Sequence, residues 1–406
     1  MVIEWSIENF RSFLEKQEIS CEATTDSSLR DLNVFEVQDK GVNGVLKIAA
    51  IFGANSSGKS NCINALSHLQ HIAIKGIRDG GTEDYNAGSL SHTKNIEKHL
   101  SSNIELVVLV DEIKYHYGVS ISYWGTIEKE FLNVYLTTKP QKWFSRNVVH
   151  KSGYEYEVCV KLKGDKNIWE KATDFTDLFL AKASKLGSKQ LLPFYEWLCN
   201  ELVFLDAHNL SPIAEKLRKS GSYKGINELC RFLDLPYGHS DEDLINFVAN
   251  FTSIRHGRAI PMYYDKESDA SLELWDFAFV LLDVFRHGRT LVVDSFLDKL
   301  DLITIRKVLE LFHNSAINPK KSQLFFTTHI VSLLDQKLFR RDQIWFVEKK
   351  YELTPYMHEG CSELHRLTEF SPRKSDNIER NYLVGEYIAL PKPGDISALI
   401  NAIGTI

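Results

Sequence analysis

Residues 2–8, VIEWSIE, alternate apolar and polar side chains, the period-2 pattern of a half-buried strand, and lead into Asn9-Phe10-Arg11-Ser12-Phe13. A second strand is predicted over 15–23. Val45 to Phe52, VLKIAAIF, is instead almost continuously apolar over a strand's length, as suits a parallel strand covered on both faces. It runs into a glycine-rich turn, after which Ile63, Leu66, Leu69 and Ile72 recur at helical spacing. Between Ile104 and Leu136, short alternating runs separated by Asp-Glu and Gly-Thr turns predict an antiparallel meander. Residues 165–250 carry helical patterns such as TDLFLAKASKL, LLPFYEWLCNEL and INELCRFLDL, but no heptad persists, so no long coiled coil is expected. Helices are then predicted over 274–285 and 303–312, and strands over 289–293, 323–327 and 342–348. That alternation of strands and helices predicts an α/β fold with a parallel core sheet, an antiparallel β meander and an inserted helical lobe. The chain divides on this pattern at 1–164, 165–255 and 256–406.

Composition narrows the partners. With 406 residues, 44% hydrophobic and 25% charged, the chain can bury a sizeable core, and no apolar run is long enough to span a membrane. The N-terminus lacks the basic and apolar regions of a secretory signal, so a cytoplasmic location is expected. A net charge of −6 and no basic stripe do not indicate nucleic acid as the partner, although they leave it possible. The cysteines at 21, 62, 159, 199, 230 and 361 show no CxxC spacing, which argues against a zinc ribbon or a disulfide framework.

The chemistry is concentrated in three places. Gly53-Ala54-Asn55-Ser56-Ser57-Gly58-Lys59-Ser60 matches GxxxxGK[ST], the loop whose backbone amides cradle phosphates, whose lysine reaches the terminal phosphates and whose Ser/Thr can ligand magnesium. A chance match in a chain this long is on the order of one in a hundred from average residue frequencies, and the strand-before, helix-after context lowers it further. Gly53, Asn55, Ser56, Ser57, Gly58, Lys59, Ser60 and Asn61 are the candidate ATP-binding residues of a P-loop NTPase. Asp294 ends the apolar strand LVVD, where a Mg2+-associated acid belongs, with Ser60 as its partner at the metal. His329 ends LFFTTH, from where it can contact a terminal phosphate or position water. Asp294 and His329 are thus the candidate catalytic pair, and Ser60 and Asp294 the candidate metal ligands.

IENFRSF, GANSSGKSN, LVVDSFLDKLD and FFTTH, in that order around a helical insertion, resemble the RecF/SMC-type ABC ATPases. Within that group the chain is most similar to the bacterial AAA-family ATP-binding proteins of the RloA/AbiLi type, linked to phage defence. TDLFLAKA, YEWLCNELVFL, RRDQIWFVEKK and RNYLVGEYIALP carry the same likeness. The resemblance implies an ABC/RecF-like head, ATP and Mg2+ as cofactors, and homodimers or higher homo-oligomers joined through the ATP sites. It places Arg11 near the nucleotide, Ser268 in a signature loop presented to the partner's ATP, and Asp301 at the end of a dimer-spanning loop. Two positions depart from the family pattern: the signature glycine is Ala270, and the glutamate after the acid is Ser295. A serine hydroxyl cannot replace the charge that polarises the attacking water, and loss of such a group costs about a hundred- to ten-thousand-fold. A neighbouring acid such as Asp298, or a partner, could supply it.

The leading expectation is therefore an ATP-gated dimeric sensor or scaffold in antiphage defence that holds or activates a separate effector nuclease or toxin. The stretch after His329 is too short and too poor in paired carboxylates for a TOPRIM nuclease of its own. The alternatives are a RecF-like DNA-repair clamp and a nucleotide-binding pseudo-ATPase with a purely structural role. An autonomous nuclease finds no metal-ligand spacing in 137–260. Weaker features read as structural: His68 and His71 as a partly exposed helix face, Asp241-Glu242-Asp243 as a helix start, and Trp124, Trp169, Trp197, Trp275 and Trp345 as packing residues.

Overall fold

The computed structural model describes residues 1–38, 41–77, 100–149, 153–206, 210, 213–214, 216, 225–234, 237–239, 250–255, 258–263, 269–353 and 358–390. The alternating N-terminal run forms β1 (Val2–Glu8), flanked by β2 (Gln17–Ser20) on one side. A single turn, α1 (Arg30–Asn33), precedes the short pair β3 (Val34–Phe35) and β4 (Val45–Leu46). The apolar run from Val45 is thus split: Lys47 breaks it, its buried ammonium donating to the His313 carbonyl at 2.9 Å, before β5 (Ile48–Phe52) resumes. The glycine-rich turn follows, then α2 (Lys59–Lys75). The predicted meander is present and longer than expected: β6 (Ser102–Val110), β7 (Ile113–Ile121), β8 (Ile127–Tyr135), β9 (Gln141–Val149) and β10 (Gly153–Val158). With β1 and β2 they make a seven-stranded antiparallel sheet in the order β10-β9-β8-β7-β6-β1-β2.

The segment expected to be helical holds α3 (Lys166–Ala172), α4 (Phe179–Lys185), α5 (Leu192–Asn200) and α6 (Ile226–Phe232), but also strands. Leu202–Leu205 is β11, and β12 (Tyr237–His239), β13 (Asn250–Arg255) and β14 (Arg258–Tyr263) form an antiparallel sheet. LVFL is too short to show either period. Its conformation is decided by pairing with β15 (Thr290–Asp294), which lies at the end of α7 (Asp269–His287). After α8 (Leu302–His313), β16 (Gln323–Thr328), β17 (Ile344–Leu353) and β18 (His358–Arg366) complete a six-stranded sheet in the order β11-β15-β16-β5-β17-β18. All neighbours in it are parallel except the last pair.

Both faces of this sheet are covered, which is why its strands read as continuous apolar runs. Ile48, Ala50 and Phe52 of β5 join one core with Leu291, Val293, Leu324 and Phe326, covered by α7 and α8. Ala49 and Ile51 join the other with Val292 and Phe325, beneath α2 and the antiparallel sheet. Gln323, fully buried, ties the two sheets together: it accepts from the Val2 amide (2.6 Å) and donates to the carbonyls of Val2 (2.9 Å) and Leu46 (3.0 Å). Trp169, Trp197, Trp275 and Trp345 are core residues as expected, whereas Trp124, 72% exposed in the β7–β8 turn, is not. No helix among the described residues is long and apolar enough to cross a membrane.

One buried carboxylate locks the meander to the helices behind it. Glu130 accepts from the Tyr117 hydroxyl (2.8 Å), Arg146 Nε (2.8 Å) and the first two amides of α4, Phe179 (2.7 Å) and Leu180 (2.9 Å). Its partner Arg146 is also wholly buried. Truncating one member of a buried pair leaves the other charge uncompensated, at a cost of about 3–5 kcal/mol. Glu130→Ala is therefore expected to lower the unfolding free energy by about that amount, measured as a fall in the urea midpoint.

Candidate functional site

The site is built by strand register. β15 pairs Asp294 with Thr327 of β16, and β16 pairs Thr328 with Phe52 of β5, so the acid, the Thr-Thr-His end and the start of the glycine-rich loop share one edge of the sheet. These are the carboxyl ends of parallel strands, where α/β sheets bind ligands.

The loop's glycines are sterically required. A Cβ on Gly53 would lie 2.6 Å from the Val347 carbonyl oxygen. Gly58 has φ +112°, and a Cβ there would collide with the hydroxyls of Ser12 and Ser362. Asn55 and Ser56 form the exposed tip, Ser56 in a left-handed conformation. α2 then begins with neither a side-chain cap nor an acid in its first turn, so its N-terminal amides are left for an anion. Lys59 folds back on the loop, donating to the carbonyls of Gly53 and Ala54, both at 2.9 Å. Burial pushes its ammonium below the ordinary lysine range, while the charges of Asp298 and Asp294 pull it back up. Ser57 Oγ is buried with no hydrogen-bond partner among the described residues. Uncapped amides, a buried cation and an orphan hydroxyl converging on one loop fit a phosphate chain.

On the acid strand, Asp294 Oδ1 accepts from the Thr327 hydroxyl (2.7 Å). Ser295 is left-handed (φ +53°), and its amide donates to that same hydroxyl at 2.9 Å. Its own hydroxyl lies 3.2 Å from Thr327 Oγ1 and brings no charge. The 3-10 turn Phe296–Lys299 that follows carries Asp298 back toward β16. There Asp298 accepts from the Thr328 hydroxyl and the His329 amide (3.3 Å), and pairs with His329 Nδ1 at 2.8 Å.

A second layer braces the loop. Arg11 sits in the left-handed tip of the Phe10–Phe13 hairpin, donating to Asn61 Oδ1 (3.4 Å) and to His68 Nε2 (2.9 Å). Asn61 Nδ2 donates to Ser12 Oγ (2.8 Å), which lies 2.8 Å from Ser362 Oγ, and Ser362 donates to the Ser57 carbonyl (2.6 Å). The Ser362 hydroxyl thus faces two acceptors, Ser12 Oγ and the Ser57 carbonyl, with one proton to share between them.

His68 is thus buried and not a partly exposed face, because the hairpin packs on it; burial and the Arg11 charge lower its pKa to about 3, so it stays a neutral acceptor. No group of three or more metal-ligating side chains occurs among the described residues. Asp301 is a helix cap, taking the amides of Ile303 (2.9 Å) and Thr304 (3.0 Å) and the Thr304 hydroxyl (2.6 Å), bonds that hold its carboxyl below the usual range. Ser60 is half-buried at the start of α2. Ser268 and Asp241-Glu242-Asp243 lie outside the described residues, and Ala270 falls in the first turn of α7. Thr327, Thr328, Ser12 and Ser362 were not singled out in the sequence. The Thr-Thr before His329 was a usable signal, and Ser362 had none.

The chain belongs to the family described as "AAA domain, putative AbiEii toxin, Type IV TA system", which matches residues 48–335, well over half its length and the whole span from β5 past His329. It carries an AAA domain, whose glycine-rich loop is the GxxxxGK[ST] motif at 53–60. No curated protein matches it. Among solved structures it is similar to an SMC head domain from Thermotoga maritima, at 15% identity over 90% of this chain and 98% of that one, TM-score 0.44. It is also similar to an Smc head domain with an extended coiled coil bound to the C-terminal domain of ScpA derived from Pyrococcus furiosus, at 13% identity over 90% and 95%, TM-score 0.43. Both are distant likenesses.

Ser362→Ala removes the link between β18 and the loop without touching a phosphate-facing group. Two neutral hydrogen bonds at about 1 kcal/mol each set an upper limit of about thirtyfold weaker nucleotide binding, read by fluorescence titration with a labelled ATP analogue.

Proposed function

We propose that this chain is an ATP-gated switch: it binds Mg-ATP at the loop 53–61, hydrolyses it slowly, and uses the bound state to join copies of itself and to hold or release a separate effector in antiphage defence. The observation that carries the reading is the contrast at one strand end. Lys59, Asp294 and His329 converge on the carboxyl edge of the sheet, while the position beside Asp294 holds the neutral Ser295. Binding is provided for, and the charge that would drive fast turnover is not.

On this reading Gly53, Asn55, Ser56, Ser57 and Gly58 surround the phosphates, and Lys59 exchanges its two carbonyl partners for phosphate oxygens. Ser60 and the Asp294 oxygen not held by Thr327 would take Mg2+, which supplies charge neutralisation to the phosphates. Arg11, held by Asn61 and His68, faces the same loop. Ser268 and Asp301 would act on the ATP of a second copy, between the lobes 1–164 and 256–406, with 165–255 offered to the effector. The family's description as a toxin–antitoxin component supports a defence role. Acidic balance and the lack of a basic stripe favour a protein effector over duplex DNA.

Lys59→Ala is expected to abolish ATP binding measured calorimetrically in Mg2+. Ser295→Glu is expected to raise turnover by about a hundredfold or more, with ATP affinity little changed; unchanged turnover would remove the idea of a site held slow by Ser295. Native pull-down should recover a stoichiometric partner whose retention depends on ATP.

A further inference from the structure

Asp298 is the neighbouring acid that could stand in for the missing glutamate, and its charge, with that of Asp294, raises the Lys59 pKa against burial. We infer that Asp298 is a positioning residue for ATP hydrolysis, clamping His329 through Nδ1 so that Nε2 accepts a proton from the attacking water beside the neutral Ser295. The inference rests on the ATP-hydrolysis reading above.

The geometry is that of a carboxylate–histidine pair. The Asp298 carboxylate is 6% exposed and immobilised by three donors: the Thr328 hydroxyl, the His329 amide and His329 Nδ1 at 2.8 Å. A carboxylate only accepts, so Nδ1 carries the proton and Nε2 of a neutral imidazole is an acceptor. Nε2 has no partner among the described residues, and the ring is 59% exposed, open to water while its other nitrogen is tied down. A histidine serving packing alone would have the opposite distribution. The backbone supports the placement, because Thr328 pairs with Phe52, the residue before the loop.

The step balances with water and a nucleoside triphosphate as reactants. The water oxygen forms a bond to the terminal phosphorus as the bond from phosphorus to the bridging oxygen breaks. His329 Nε2 takes a water proton, the leaving nucleoside diphosphate keeps the electron pair, and the exposed imidazole returns the proton to solvent. Asp298 remains ionised throughout and stabilises the imidazolium.

The test is single-site kinetics on the whole chain. Asp298→Asn is expected to cut kcat about a hundredfold, with ATP affinity unchanged or tighter, since a negative charge near the phosphates is removed. His329→Ala should give a similar loss, and the double variant no further loss. Adding Ser295→Glu to Asp298→Asn should restore turnover, a rescue that a folding defect would not permit. Turnover untouched by Asp298→Asn, affinity lost in step with kcat, no rescue, or a wild-type chain that binds ATP and turns none over would each overturn the inference. Undiminished binding in Lys59→Ala would instead overturn the proposed function itself.

Discussion

Three parallel strands, β15, β16 and β5, have to end level with one another for any of the chemistry to exist. Each is held by backbone ladders on both sides, and a one-residue slip in a strand turns every side chain to the opposite face. A slip of β16 would take Thr327 from Asp294 and Thr328 from Asp298 together. The apolar sequences resist this, because both faces are buried in separate cores and neither accepts the other's residues without loss of packing. The site is thus a by-product of core formation, and its polar groups occupy the first positions at which the strands leave that core.

Buried polar side chains do the remaining joining. Gln323 spends its amide on the backbones of β1 and β4, so the antiparallel sheet is hydrogen-bonded to the parallel sheet through one side chain. Glu130 and Arg146 fasten the meander to α4. Arg340 and Asp342, both buried, tie the residues before β17 to the chain around Thr24 and Asp26. Each arrangement is satisfied on several sides, which is what keeps such burial from being destabilising.

The parallel core was legible because fully covered strands require continuous apolar runs, and IAAIF, TLVVD and QLFFTT have them. The glycine-rich loop was legible because its backbone conformation admits so few sequences. Elsewhere the deciding contacts are remote. Leu202–Leu205 is a strand because β15 is beside it, four residues being too few to carry a period. His68 is buried by a hairpin 57 positions earlier in the chain. Asp301, which the resemblance places at the end of a dimer-spanning loop, also caps α8, a role that an Asp followed by Thr304 at a helix start fits. Asp298 pairs with His329 through a 3-10 turn that leaves no periodic trace.

Asn61, Ser12, Ser362 and the Ser57 carbonyl form one hydrogen-bonded row that joins α2 and β18 to the loop. Neighbouring bonds in such a row polarise one another. The peptide at its end is shared with the Gly58 N–H, so drawing electron density toward the Ser57 oxygen makes that N–H a stronger donor. Through this single peptide plane, the seating of β18 is converted into the anion affinity of a loop more than 300 residues away in the chain.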